Sequence, residues 1–541
     1  MKKEFKTGTD FESETEYFAT ENIYHIYSKD TIELSDAKYL PLRGKTDPTF
    51  KAFTVLKNKK NVTLDFCGAT IVLHGKIQPF LIDNSENITI KNCKVTYDRP
   101  PFTEFTIIES KSDCVKLLLN ENCRCRIENG RLIPYSDTWD NTELNYRGMF
   151  FQVFDSDSRH GCGMHLGAIG EPFVKDSSFL YHVDTYKVEE DGEYIILKGN
   201  VPEFYKPGRK LVIAHEARNL SSIFMTDSKN IAVENYRVLC GLGMGIYSYR
   251  TENINLNGVK FTYDDESPCI VSNAADAIHT FGTSGEFNIK NCIIEGMIDD
   301  AINIHSNFRT VDHACENELY SNIASCEIQA KYLFKPGDNI VVYNGLTLEK
   351  AAEYVIEEIE YIDDEIIKLI LDRPVQKHNR GDLIEDMSCN CNIKIDNCVI
   401  GKANSHLRLQ SRGKVVMSDC ENELELLLSG DASYWFESSP ITDLTIKDCK
   451  FKTNMAKISI TSEIMPTEKE PYYHKNIKII NNEFDTDIPV CGGYADGIVF
   501  EGNVNKKGKD MKLVLTNCGS VVADNCIVER KNEVKTELKK N

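Results

Sequence analysis

The chain has 541 residues, 41% of them hydrophobic and 27% charged, and a formal net charge of −20. Such a length exceeds one compact core and calls for several modules or one solenoid carrying insertions. An acidic surface repels the phosphates of nucleic acid, so no nucleic-acid partner is expected and a neutral glycan suits the charge better.

The opening MKKEFKTGTDFESETEYF has a basic start but no apolar core of a secretory signal, and no run of about 18 apolar residues occurs. The expectation is a cytoplasmic protein with no membrane span. The 19 cysteines do not sit in a short secreted chain, and none shows the spacing of a zinc site. Many read as small buried hydrophobes at one position of a repeat, with no metal and no cofactor implied.

Residues 1–101 introduce that repeat. An Asn turn, apolar residues at alternate positions, and Asn or Asp before Cys appear as NVTLDFCGATI from Asn61 and NITIKNCKVTYD from Asn87. Alternation marks strands with one buried face, and the Asn-rich breaks mark turns. YDRPPF, Tyr97 to Phe102, then ends the block, because Asp-Arg-Pro-Pro cannot continue a ladder. Arg99 within it is a candidate either for a structural ion pair or for substrate contact.

Residues 102–214 lack the phrase and read as an inserted β-barrel-like module. Residues 215–308 resume it with NIAVENYRV from Asn230, NINLNGVKF from Asn253 and FNIKNCIIEG from Phe287. Residues 309–388 interrupt it again. The two interruptions share an aromatic-Lys-Pro-Gly turn before a strand, at Phe204-Tyr-Lys-Pro-Gly and Phe334-Lys-Pro-Gly, which suggests small antiparallel barrels. Residues 389–530 return to rungs with NIKIDNCVIG from Asn392, DLTIKDCKFK from Asp443 and NIKIINNEF from Asn476, and 531–541 form a charged tail. The fold class expected is all-β: a parallel β-helix solenoid with two inserted antiparallel β-barrel-like modules. Cys93, Cys292, Cys398, Cys420, Cys449 and Cys526 would occupy equivalent inward positions, some of them stacked.

Within the central rungs, NAADAIHTFGTSGEFNIKNCIIEGMIDDAINIH runs from Asn273 to His305. It places Asp276 upstream of the adjacent pair Asp299 and Asp300. The offset, 299 − 276 = 23, equals the rung step from Asn230 to Asn253, 253 − 230 = 23. Asp276 therefore falls one rung from the pair, about 5 Å from its direct neighbour and about 7–8 Å from the diagonal one. Glycosidic bonds are usually broken by two positioned carboxyls, and a separation of about 6.5–9.5 Å admits the water of an inverting enzyme. His279 and His305 flank the acids and suit the binding of sugar hydroxyls. A second constellation, SGDASYWFESSP from Ser429, sets Trp435 between Asp431 and Glu437, an aromatic face and two carboxylates of the kind that hold a sugar ring.

The order YDRPPF, GMGIYSYRTENI, ADAIH with GMIDDAINIH, GDASYWFES and EPYYHKNIKIINNEF resembles glycoside hydrolase family 110, the α-1,3-galactosidases that act on blood-group-B-type glycans. The resemblance implies a right-handed parallel β-helix with inserted barrels, cofactor-free inverting hydrolysis, a galactose-containing oligosaccharide or glycan as partner, and a tendency to form homodimers. It maps the family's three essential aspartates onto Asp276, Asp299 and Asp300. By analogy with inverting β-helix enzymes that cut pectin, Asp299 is the general acid and Asp276 with Asp300 activates water. Two rival readings are a polygalacturonase-like enzyme and a non-catalytic glycan-binding β-helix. The first would need a Gly-His-Gly and an Arg-Ile-Lys, and the sequence has neither. The second needs no acid trio.

Overall fold

The computed structural model describes all residues except 41–47, 139–148, 171–182, 216–219, 264–268, 324–330, 404, 433–434, 464–466, 468, 470 and 532–541. Among the described residues there is no α-helix; short 3₁₀ turns occur at Ser28–Asp30 and Ala37–Tyr39, and Lys331 and Tyr332 also take 3₁₀ geometry. No helix among the described residues is long and apolar enough to cross a membrane.

The chain winds into a parallel β-helix. One stack of parallel strands runs through Lys60–Asp65, Glu86–Tyr97, Lys229–Val238, Glu252–Asn257, Ser284–Lys290, Cys391–Asp396, Lys414–Ser418, Asp443–Lys447, His474–Ile480 and Ala495–Glu501. A second stack carries Ser221–Thr226, Met244–Tyr249, Ile278–Phe281, Ile302–Cys315, Leu407–Leu409, Leu426–Leu428 and Ile458–Ile460. Alternate residues of the repeat phrase point inward, where Ile254 and Leu256, Phe287 and Ile289, and Ile393 and Ile395 are buried in register. Each rung hides one face only against its neighbours, so the stacked rungs form one continuous core.

The asparagines of the phrase explain themselves at both corners of a rung. Asn61, Asn87, Asn230 and Asn253 all take positive φ, a conformation Asn tolerates better than most residues. Their side chains form a ladder: Asn87 donates to Asn61 at 2.7 Å, Asn230 to Asn87 at 2.9 Å and Asn253 to Asn230 at 2.9 Å. The residue before the repeat cysteine does the same at the next corner, where Asn397 donates to Asn291 at 2.8 Å.

Behind that corner Cys292, Cys398, Cys420 and Cys449 are buried, and the backbone N–H groups of Cys292 and Cys398 point at the next thiol along. Asn482 continues the row by accepting from the Cys449 N–H at 2.9 Å. Cys93 lies in the same column but is followed by Tyr236. Cys526 does not belong there: it begins the strand Cys526–Lys531, which pairs with Met511–Thr516 in the other stack and is only half-buried.

Strands between Phe102 and Ala214 close into an antiparallel-rich barrel with its own core of Phe105, Phe151, Tyr186 and Leu211. The end of Ile302–Cys315 leaves the solenoid and closes a second ring with Glu318–Asn322, Ile366–Leu371, Lys350–Tyr361, Asn339–Tyr343 and Leu383–Asp386. Arg250 pins this second barrel to a rung, pairing with Asp338 at 2.6 Å and Asp386 at 3.2 Å. The charged tail expected at 531–541 lies beyond Lys531 outside the described residues.

Candidate active site

The three acids occupy the turn that leads into the second stack, just before its strands begin. The register there is set by Ile278 opposite Ile302 and His279 opposite Asn303, a step of 24, one more than the 23 taken from the neighbouring rungs. The Ala277 N–H accordingly reaches the Asp300 carbonyl at 3.1 Å. Asp300, not Asp299, is the direct neighbour of Asp276, and Asp299 precedes that neighbour by one residue. The extra residue lies between Ser284 and Phe287, where the register against Glu252 and Ile254 slips by one at Gly285, whose φ is +71°.

Asp276 and Asp300 are buried and Asp299 is half-exposed. The carboxylate of Asp299 turns back to accept the Asp300 N–H at 3.1 Å. Asp300 accepts the His406 N–H at 2.8 Å and lies 2.9 Å from Arg408 Nε, an ion pair rather than an aligned hydrogen bond. Burial works against its charge, but Arg408 and His406 outweigh it and hold its carboxyl well below the usual carboxylate range. Asp276 Oδ2 meets His279 Nδ1 at 2.6 Å. The next ring in the row, His305, meets His279 at 3.2 Å between Nε2 atoms, and Tyr247 and Phe281 stack on the two imidazoles.

The loop from Ser429 folds back over these strands. Glu437 and Ser438 pair antiparallel with Asn307 and Ser306, carrying the Glu437 carboxylate into the same patch. It accepts from Asn303 Nδ2 at 3.2 Å, Gln410 Nε2 at 3.3 Å and Arg408 Nη1 at 3.5 Å. Burial again opposes its charge, while His305, Arg408 and His279 draw its pKa down. Arg408 thus bridges Asp300 and Glu437, and these acids together with Asp299 and Asp276 keep its guanidinium firmly charged despite burial.

Other residues singled out in the sequence fall elsewhere. Asp431 accepts the Trp435 N–H at 2.6 Å, so this carboxylate shapes the loop that presents Glu437. Trp435 is half-buried on that loop. Arg99 does not reach toward a substrate. It is fully buried and spends its guanidinium on the carbonyls of Pro100, Phe102 and Arg124 and on the Thr103 hydroxyl, locking the exit from the solenoid into the first barrel. Arg408, His406, Asn303 and Gln410 escaped the sequence reading. Arg408 lies opposite Asn303 on the next rung, but the second barrel intervenes and hides that adjacency. The signal was present in HLRLQ, Leu407 and Leu409 alternating with polar residues.

The fold and the patch define the class: a parallel β-helix with three aspartates, a glutamate and an arginine gathered on one sheet edge. No family model matches the chain. It is similar over most of its length to proteins named α-1,3-galactosidase, which agrees with the resemblance to glycoside hydrolase family 110. The B enzyme of Bacteroides thetaiotaomicron is 26% identical over 517 residues, covering 88% of this chain and 80% of that protein. The A enzyme of Bacteroides fragilis is 23% identical over 509 residues, covering 88% and 81%. The A enzyme of Akkermansia muciniphila is 26% identical over 441 residues, covering 80% and 70%. Among solved structures, the A-module of a mannuronan C-5 epimerase from Azotobacter vinelandii aligns over 96% of this chain and 88% of its own, at 8% identity and a TM-score of 0.32.

Proposed function

We propose that the chain is an exo-acting, inverting glycoside hydrolase that removes terminal α-1,3-linked galactose from an oligosaccharide or glycan. The observation that carries the reading is the difference in surroundings between neighbouring carboxyls. Asp300 is clamped as an anion by Arg408 and the His406 N–H, whereas Asp299, one residue before it, stands half-exposed. A carboxyl locked as an anion serves as a base, which leaves the part of the acid to its neighbour. Asp299 protonates the glycosidic oxygen, and Asp276 with Asp300 holds and deprotonates water on the opposite side of the sugar.

The names of the relatives supply the substrate class. Buried polar atoms supply the rest: Asn303 Oδ1 and Gln410 Oε1 have no hydrogen-bond partner among the described residues although both side chains face Glu437. Buried polar groups normally find partners, and sugar hydroxyls provide both donors and acceptors. The test is NMR of the sugar first released from an α-1,3-linked galactose disaccharide. β-Galactose supports the reading, and α-galactose refutes the inverting assignment. Asp299→Asn should abolish turnover while leaving galactose binding in place. Near-normal turnover in that variant removes Asp299 from the chemistry.

A further inference from the structure

Asp276, His279 and His305 form one continuous row whose hydrogen bonds fix its proton count. His305 Nδ1 faces the Ser306 carbonyl at 2.8 Å, and a carbonyl only accepts, so this nitrogen carries a hydrogen. The 3.2 Å approach of His305 Nε2 to His279 Nε2 requires one hydrogen between them, and the 2.6 Å approach of His279 Nδ1 to Asp276 requires another. Three protons on one carboxyl and two imidazoles give net charge zero. Either Asp276 is a neutral acid beside two neutral rings, or it is a carboxylate beside a single imidazolium.

Glu437 favours the second arrangement. Its Oε1 lies 3.7 Å from His305 Nε2, and a carboxylate at that end draws positive charge onto the histidines. Among the described residues, the other charged groups tied to the row are Arg408, Asp300 and Asp299. Arg408 opposes positive charge on the rings, but its own contacts are spent on Asp300 and Glu437. Tyr247 and Phe281 cover the ring faces and bring no charge.

We infer that His279 and His305 hold one excess proton between them and so keep Asp276 ionised, ready to receive the proton of the attacking water. The inference rests on the reading of Asp276 as one of the two water-activating carboxylates. In the step itself the water oxygen bonds to the anomeric carbon as the bond to the glycosidic oxygen breaks. The proton of Asp299 goes to the leaving oxygen and the water proton to Asp276. His305 is a positioning residue, acting on Asp276 through His279.

The test is the pH profile of kcat/KM for the wild type, His305→Leu and His305→Gln, on an α-1,3-galactosyl disaccharide. Leucine removes the acceptor for the His279 Nε2–H, so the acidic limb should move up by about one pH unit as Asp276 loses its cationic partner. Glutamine restores an acceptor oxygen and should leave the limb near its wild-type position. An even loss of activity at all pH values with an unmoved limb in His305→Leu overturns the inference. Asp276→Asn separates the two levels. Near-normal turnover there removes Asp276 from the chemistry altogether, whereas lost turnover with an unmoved His305→Leu limb defeats the inference alone. Should the leucine variant not fold, ¹⁵N-histidine NMR of the wild type decides. An imidazolium signal above the ordinary histidine pKa of about 6.5, absent from His279→Gln, supports the shared proton, and no such signal refutes it.

Discussion

His406 donates its backbone N–H to Asp300 at 2.8 Å across 106 positions of sequence, and Arg408, two residues further, lies 2.9 Å from the same carboxylate. The second barrel separates the two in the chain without separating them in space. Arg408→Met removes the one arginine shared by Asp300 and Glu437 and leaves two buried carboxylates facing each other. Breaking a buried pair by deleting one partner costs about 3–5 kcal/mol. The expected result is a fall of that order in unfolding free energy, measured by chemical denaturation. Turnover should be lost even at temperatures where the variant remains folded.

The same pairing makes a prediction about acid. The carboxyl of Asp300 is depressed in the folded state, so its contribution is fully present above the unfolded Asp value of about 3.9 and lost as pH falls through the folded one. The stability gap between the wild type and Asp300→Asn should therefore be constant near neutrality and narrow below about pH 4. A gap that widens in acid contradicts the ion pair.

Glu437→Gln tests the loop that closes over the patch. The amide keeps the shape but removes the charge that Asn303, Gln410 and Arg408 all donate toward. Hydrogen bonds to charged groups contribute about 1.5–3 kcal/mol, so KM for the galactoside should rise by at least about tenfold while kcat changes less. Steady-state kinetics separates the two. An unchanged KM would place Glu437 outside the sugar-binding surface.

How much of this was legible beforehand differs by length scale. The rungs were readable because one phrase encodes three physical demands at once: Asn at a positive-φ corner, alternate apolar residues facing inward, and a small thiol behind the second corner. The grouping of Asp276 with Asp299 and Asp300 was readable because no insertion separates their rungs. Its register was not, since one extra residue at the Gly285 slip shifts the direct neighbour from Asp299 to Asp300. Arg408 and His406 were hidden for the opposite reason. They follow a whole inserted barrel, and a local count of rung length cannot cross it. Arg99 read as a candidate for a structural ion pair or for substrate contact, yet neighbouring backbone carbonyls absorb its charge.

Glu104 ties the first barrel to the acid-bearing turn, accepting the N–H groups of Ile270 and Val271 at 2.8 and 3.2 Å. Burial raises its pKa from 4.5 to about 7, despite those N–H donors and Lys210. A raised carboxyl favours the folded state only while protonated, so its contribution is intact below 4.5 and lost as pH climbs through about 7. Glu104→Gln keeps an acceptor for both N–H groups and has no proton to lose. Relative to the wild type it should gain roughly 2 kcal/mol of stability at pH 8 and little at pH 4.5. Equal stability differences at both pH values would mean that Glu104 is not held neutral.

Gly245, in the motif GMGIYSYR, lies one rung before the acids, and its N–H reaches the Asp276 carbonyl at 2.8 Å. A Cβ there would come within 2.2 Å of the Ala277 carbonyl oxygen and 2.5 Å of the Phe261 ring. Neither neighbour yields easily: one is backbone in the same ladder, and the other is a fully buried side chain. Overpacking of this kind costs about 1–3 kcal/mol. The cost falls on the backbone at Ala277, which joins the Asp276 turn to Asp300 through the Ala277 N–H. Gly245→Ala should therefore lower kcat well beyond what its loss of folded protein explains. A variant whose specific activity, corrected for the folded fraction, matches the wild type would show that the acids tolerate a displaced rung.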